Sequence, residues 1–184
     1  MKKTLVVLAH PNFNKTSIAN KIIIDKIKNL EGVKIKDLYR ECPTFKFNIE
    51  AEQAALIDTE SIIFQFPFYW YGVPGILKEW IDQVFTYGFA FGSTGDKLKG
   101  KQFLVSTTIG GPEDAYKEGG HNNFPVIDLL KPLQQMAHLT GMQYNIPLIS
   151  HNMIYVPGVY NKKEEVEQKA REHAQQLYDY IAAS

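Results

Sequence analysis

Three short stretches hold the residues whose types and spacing can do chemistry. In "HPNFNKTSIAN", residues 10–20, a polar loop containing His10, Asn12, Asn14 and Lys15 passes through the hydroxyls of Thr16 and Ser17 straight into a helical pattern. Free backbone N–H groups at such a helix start, joined by two hydroxyls, can cradle a phosphate. The helix dipole adds only about 0.3–1 kcal/mol, so the hydrogen bonds must carry the affinity. The competing reading is that Thr16 or Ser17 simply caps the helix. In "QFPFYWYGVPG", residues 65–75, the rings of Phe66, Phe68, Tyr69, Trp70 and Tyr71 crowd around Pro67 before a turn. Phe66 reads as core, whereas Trp70 and Tyr71, next to Gly72, offer faces and edges to a flat ligand; a hydrophobic plug or subunit contact is the alternative. In "TTIGGPEDAYKEGGH", residues 107–121, Gly110 and Gly111 let the backbone approach a ligand closely. Tyr116 and His121 in the same stretch can donate or accept a proton, and Glu118 can orient either.

The elements around these stretches explain why they should meet. Residues 4–9 (TLVVLA) form a short buried strand, and Ile18, Ile22, Ile23, Ile27 and Leu30 supply one face of a helix that Gly32 follows as a stop signal. Residues 33–39 alternate as a more exposed strand, residues 50–58 form a short helix, and residues 61–66 (SIIFQF) a central strand. Pro74 sits in the first turn of the next helix, which carries Ile76, Leu77, Trp80, Ile81, Val84 and Phe85. A fourth strand is expected at 102–107, a helix at 125–140, a fifth strand at 142–149, and a last helix from Asn161 with Glu164 completing a capping box. Its inner stripe is Val166, Ala170, Ala174, Leu177 and Ile181, with His173 expected on a solvated face. Five strands separated by helices predict one doubly wound parallel α/β domain spanning residues 1–184. In such a sheet, ligands bind beyond the carboxyl ends of the strands, and the three stretches follow strands one, three and four.

Composition removes several alternatives. The chain has 184 residues, 45% hydrophobic and 22% charged, with zero formal net charge, so no basic field directs it to nucleic acid. A single cysteine, Cys42, rules out an internal disulfide and a cysteine metal site and fits a cytoplasmic setting. The apolar run near the N-terminus ends at His10-Pro11, too short for an export signal. "GDKLKGKQ", residues 95–102, approaches a P-loop, but Gln102 replaces the magnesium-holding Ser/Thr and the motif precedes a strand. His138, His151 and His173 show no metal-ligand spacing, so no metal is expected.

The strings "LAHPNFNKTSIANK", "FPFYWYGVPGILKEWIDQVFTYGFAFG", "LKGK" and "TTIGGPEDAYKEGGH" together resemble the flavodoxin-like NAD(P)H:quinone oxidoreductases over nearly the whole length. The likeness is closest to the short bacterial branch, which includes ancillary flavoproteins of glutathione-gated potassium efflux systems and general stress proteins. The resemblance implies a five-stranded parallel sheet of order 2-1-3-4-5 with helices on both faces. It also implies a noncovalent flavin, a homodimer, and two-electron ping-pong hydride transfer from NADH or NADPH to a quinone. By position, His10, Ser17, Ile18, Ala19 and Asn20 would hold the flavin phosphate. Pro67, Phe68, Tyr69, Trp70 and Tyr71 would line the ring system, and Thr108, Ile109, Gly110 and Gly111 would contact its edge. Tyr116 and His121 would help stabilise reduced, anionic flavin. Ile109 departs from the family's usual second Thr and removes one hydroxyl partner. The chain lacks the C-terminal extension of the large animal enzymes, which favours FMN with FAD as the alternative. The rival role implied by the same likeness is a regulatory subunit docked on a potassium efflux transporter, peripheral to the inner membrane.

Overall fold

The computed structural model describes residues 2–183. Its strands are β1 (Thr4–Leu8), β2 (Val33–Asp37), β3 (Ser61–Pro67), β4 (Gln102–Thr108), β5 (Gln143–Tyr144) and β6 (Leu148–Ser150). The helices are α1 (Ala19–Ile27), α2 (Leu38–Glu41), α3 (Ile49–Ile57), α4 (Gly75–Val84), α5 (Val126–Leu129), α6 (Lys131–Leu139) and α7 (Lys163–Ala182), with a 3-10 turn at Glu113–Ala115. The sheet runs β2-β1-β3-β4-β5, all parallel, with β6 also pairing β4. That is the order expected, and helices cover both faces.

β1 and β3 are buried at every position, which explains their largely apolar sequences, broken in β3 by the buried Gln65: a central parallel strand has no wet face. One face buries Val7, Phe64, Phe66, Phe103 and Val105 against α4 and the aromatic loop after it. Trp80 and Phe64 meet edge to face at 5.9 Å, and Trp80 Nε1 donates to the buried Glu52 at 3.0 Å, so α3 is tied to α4. The other face buries Val6, Leu8, Ile63 and Leu104 under α1 and α7. Continuing that face toward the carboxyl ends, Ile63 is followed by Gln65, and Leu104 by Ser106 and Thr108. All three polar residues are buried, so this face changes from apolar to polar as it nears the strand ends.

Four expectations are corrected. The fifth strand is split: Asn145–Pro147 interrupts it, because Pro147 has no N–H for the ladder, and β5 and β6 pair different parts of β4. The helix expected at 125–140 breaks at Leu130, ahead of Pro132 in the first turn of α6. The capping box of α7 does not form; the helix starts at Lys163 after an N-cap at Lys162, and Asn161 instead donates to the Ile154 carbonyl at 2.7 Å. His173 is not solvated: it is 1% exposed, between α7 and the sheet. In the P-loop-like segment, Lys101 Nζ donates to the carbonyls of Ile57 and Thr59 past the end of α3, a cation at a helix C-terminus. Among the described residues no helix is long and apolar enough to cross a membrane, and no cluster of His, Cys, Asp or Glu could hold a metal ion.

Candidate functional site

A cleft of about 270 Å³ opens at the carboxyl ends of β1, β3 and β4. His10, Thr16, Ser17, Ile18, Ala19 and Asn20 line one end, Pro67, Phe68 and Tyr69 one side, and Thr108, Ile109 and Gly110 the bottom. The three stretches singled out by sequence therefore do converge, because parallel strands deliver all their following loops to one edge.

The start of α1 is open to a ligand. Its N-cap, Ile18, makes no side-chain capping bond, the first turn carries no acid, and the N–H groups of Ala19, Asn20 and Lys21 find no acceptor among the described residues. Neither Thr16 nor Ser17 caps the helix, so the competing structural role for their hydroxyls does not apply. The preceding loop is held by its own backbone, with Phe13 N–H donating to His10 O and both Lys15 and Thr16 to Asn12 O. Burial drives the His10 pKa down to about 4. Asn12 N–H donates to His10 Nδ1 at 3.2 Å, so the neutral ring carries its proton on Nε2.

The aromatic stretch divides in two. Pro67 is buried, Phe68 is half-buried, and the Phe68 N–H donates to Thr108 O at 2.9 Å, fixing this wall to β4. Tyr69 and Gly72 exchange both backbone hydrogen bonds, closing a two-residue turn over Trp70 and Tyr71. Both turn residues have positive φ, 47° and 65°, a pattern that favours Asn-Gly and that aromatic side chains rarely adopt. Trp70 is 94% exposed, and neither it nor Tyr71 lines the cleft. Phe66 is fully buried, as its position in β3 requires.

In the third loop, the side chain of Ile109 packs in the core, its N–H donates to Ser150 O, and its carbonyl accepts from Met153 N–H, both at 2.8 Å. The N–H groups of Gly110 and Gly111 have no acceptor among the described residues. A Cβ on Gly110 would stand 3.2 Å from Ile154, and one on Gly111 3.3 Å from the Tyr116 ring. Tyr116 lies between Phe68 and His151, with ring centroids at 6.3 and 5.3 Å, and burial raises its pKa. It lines an adjoining cleft of about 460 Å³ that also includes His151, Lys169, Glu172 and His173. His121 is exposed and lines neither cleft. Tyr71 Oη reaches Asn122 Oδ1 at 3.1 Å, joining the aromatic turn to this loop.

Sequence reasoning missed Met153, Ile154 and Tyr155, which complete the smaller cleft. The signal was available: they follow the last strand, and the carboxyl-end rule applies to that strand as it does to the others. It also missed a buried polar row behind Thr108. Asn20 Nδ2 donates to Thr108 Oγ1 at 3.0 Å, and Gln65 Nε2 to Asn20 Oδ1 at 2.8 Å. Ser106 Oγ donates to Gln65 Oε1 at 2.6 Å, and the two ring nitrogens of His173 meet Ser106 Oγ and Ser150 Oγ, each at 2.7 Å.

Residues 2–180 match the family described as having a flavodoxin-like fold, and the chain belongs to it. It is 38% identical over 181 residues to an uncharacterized NAD(P)H oxidoreductase of Bacillus subtilis, YrkL, covering 98% of each chain. It is 39% identical to the glutathione-regulated potassium-efflux system ancillary protein KefF of an Enterobacter species, over 96% of each chain. Among solved structures, the general stress protein 14 of Treponema denticola in complex with FMN aligns with a TM-score of 0.88 at 30% identity, covering 98% of each chain.

Proposed function

We propose that this protein is an FMN-dependent NAD(P)H oxidoreductase that reduces quinones. The observation that carries the reading is the uncapped start of α1 at one end of a cleft walled by Phe68 and Tyr69: an anion site and a flat apolar wall in one crevice. The residues fit the group. Amides of α1 and the hydroxyls of Thr16 and Ser17 hold the phosphate, and His10 donates from Nε2. Pro67, Phe68 and Tyr69 would screen the ring system from water, and Trp70 and Tyr71, which lie outside the cleft in this structure, would meet its open side on the strength of the family likeness. Thr108 and the free N–H of Gly110 bind its edge, with Ile109 setting the backbone and Gly111 leaving room for Tyr116. When bound, FMN would supply two-electron hydride chemistry between a nicotinamide and a quinone. Tyr116, a phenol whose pKa burial raises further above neutrality, keeps its proton available to donate to a ligand at the rim of the second cleft. His121, which is exposed and lines neither cleft, is proposed as its partner on the strength of the family likeness alone. FMN is favoured over FAD, and the protein acts as a cytoplasmic homodimer.

The likeness to KefF favours a second reading, in which the same flavoprotein docks on a potassium efflux transporter. One experiment separates the readings. Purified protein reconstituted with FMN should show flavin absorption bands that bleach when NADPH is added without oxygen and return on adding a quinone. Bound flavin that NADPH and NADH leave oxidised would favour the docking role, and no flavin binding would overturn both.

A further inference from the structure

We infer that the buried row from His173 to Thr108 is a directed hydrogen-bond chain that fixes the Thr108 hydroxyl as a donor into the smaller cleft, with His173 as a positioning residue acting through Ser106, Gln65 and Asn20. The inference rests on the reading above for the identity of the ligand, but not for the direction of the chain.

The direction follows from what each atom can do. Ser106 spends its proton on Gln65 Oε1, so it must accept from His173 Nε2, which therefore carries hydrogen. A neutral ring protonated at Nε2 has a bare Nδ1, and Ser150 Oγ–H donates to it. Further along, Gln65 Nε2–H donates to Asn20 Oδ1, and Asn20 Nδ2–H donates to Thr108 Oγ1. With an acceptor site of Thr108 used by Asn20, its hydroxyl hydrogen is left to point at the cleft that Thr108 lines. Every link runs the same way. Both amides would have to turn over and His173 change tautomer to reverse it, after which Thr108 would face the cleft as an acceptor. The centre of the row is closed: Gln65 and Ser106 are fully buried, while Asn20 and Thr108 line the smaller cleft and His173 the larger one, so water cannot substitute for a missing link at the central pair.

The ligand group at Thr108 must then be an acceptor, a carbonyl oxygen or an unprotonated ring nitrogen. The amides carry no proton along the row, so its role is orientation, not transport. The proton of His173 sits on Nε2 because Ser106 demands a donor, and the low pKa that burial gives the ring keeps it neutral.

The test has two parts. Nitrogen-15 NMR of the flavin-free protein should show the His173 tautomer with hydrogen on Nε2, its signal assigned by loss in H173Q. Hydrogen on Nδ1, or a doubly protonated ring at neutral pH, would overturn the direction whether or not FMN binds. FMN titrations of S106A and H173L should then show weakening of about three- to tenfold, the effect of one lost neutral hydrogen bond. H173Q, which keeps a donor at the Nε2 position, should stay within about twofold of the parent, whereas H173N, which mimics Nδ1, should not. Unchanged FMN affinity in folded S106A and H173L would overturn the chain's reach to the cleft. Equal loss in H173Q and H173N would reduce His173 to a packing role. If the parent binds no FMN, the cofactor assignment fails, while the tautomer still decides the direction of the chain.

Discussion

Thr108 ends β4 and Trp70 lies three residues beyond β3, so the two stand close along one edge of the sheet, yet one is 5% exposed and the other 94%. Behind Thr108 every polar atom of the row from Asn20 to His173 has a partner, and the backbone is regular. At Trp70 and Tyr71 the backbone takes a turn that costs about 1–2 kcal/mol per non-glycine residue, and the rings face solvent. One wall is stiff because breaking any link strands a buried polar group. The other holds backbone strain offset only by the Tyr69–Gly72 pair and the Tyr71–Asn122 bond, the kind of outlier found where a ligand or partner is met.

The largest effect that would sharpen this contrast is Q65L. It leaves the Ser106 hydroxyl and the Asn20 carbonyl unpaired in the core and should cost about 3 kcal/mol of stability by denaturant unfolding. A loss below about 1 kcal/mol would mean that the row is wet or mobile and the wall is not stiff. Next is acid. Burial lowers both His173 and His10 from 6.5 to about 4 in the folded protein. The unfolded chain therefore binds more protons between those values, and stability held above 6.5 is lost as the pH falls toward 4. Melting curves should show a decline of on the order of 1–2 kcal/mol by about pH 6, steepening below it and shallower in H173Q. On the strained wall, the double replacement W70N/Y71G supplies the residues that the turn prefers. It should raise stability by about 1 kcal/mol while weakening FMN binding; a fall in melting temperature would show that the turn is not strained. Smallest is S17A, which should leave stability within about 0.5 kcal/mol because Ser17 caps nothing, yet loosen FMN.

How much of this was legible depended on whether a residue's partners were near in sequence or far. β1, β3 and β4 announce themselves because both of their faces are covered, and their carboxyl ends point to the loops that carry the chemistry. The open start of α1 was legible as a possibility, but only the fold shows that Thr16 and Ser17 do not cap it. His173 could have been placed: it stands three residues after Ala170 and four before Leu177, on the inner stripe of α7. Its polarity argued for solvent, and the argument failed because its partners, Ser106 and Ser150, come from strands far away in sequence. The same distance hid Gln65, which reads as a lone polar residue in an apolar strand until Asn20 and Ser106 arrive on either side of its amide. The breaks at Pro147 and near Pro132 were marked in the sequence by the prolines themselves.

The interruption of the fifth strand has a consequence for how copies of this chain behave when crowded. An outer strand with a continuous row of free amides is a template on which another sheet can grow. Here that border is cut into pieces of two and three residues with a proline between them. The opposite border, β2, presents the exposed Lys34, whose charge opposes stacking of like on like, while Lys36 is turned inward and paired with Glu41 and Glu52. Both rims of the sheet are thus blunted, one by a gap and one by charge, which protects a neutral chain that has no net repulsion of its own against runaway edge-to-edge assembly.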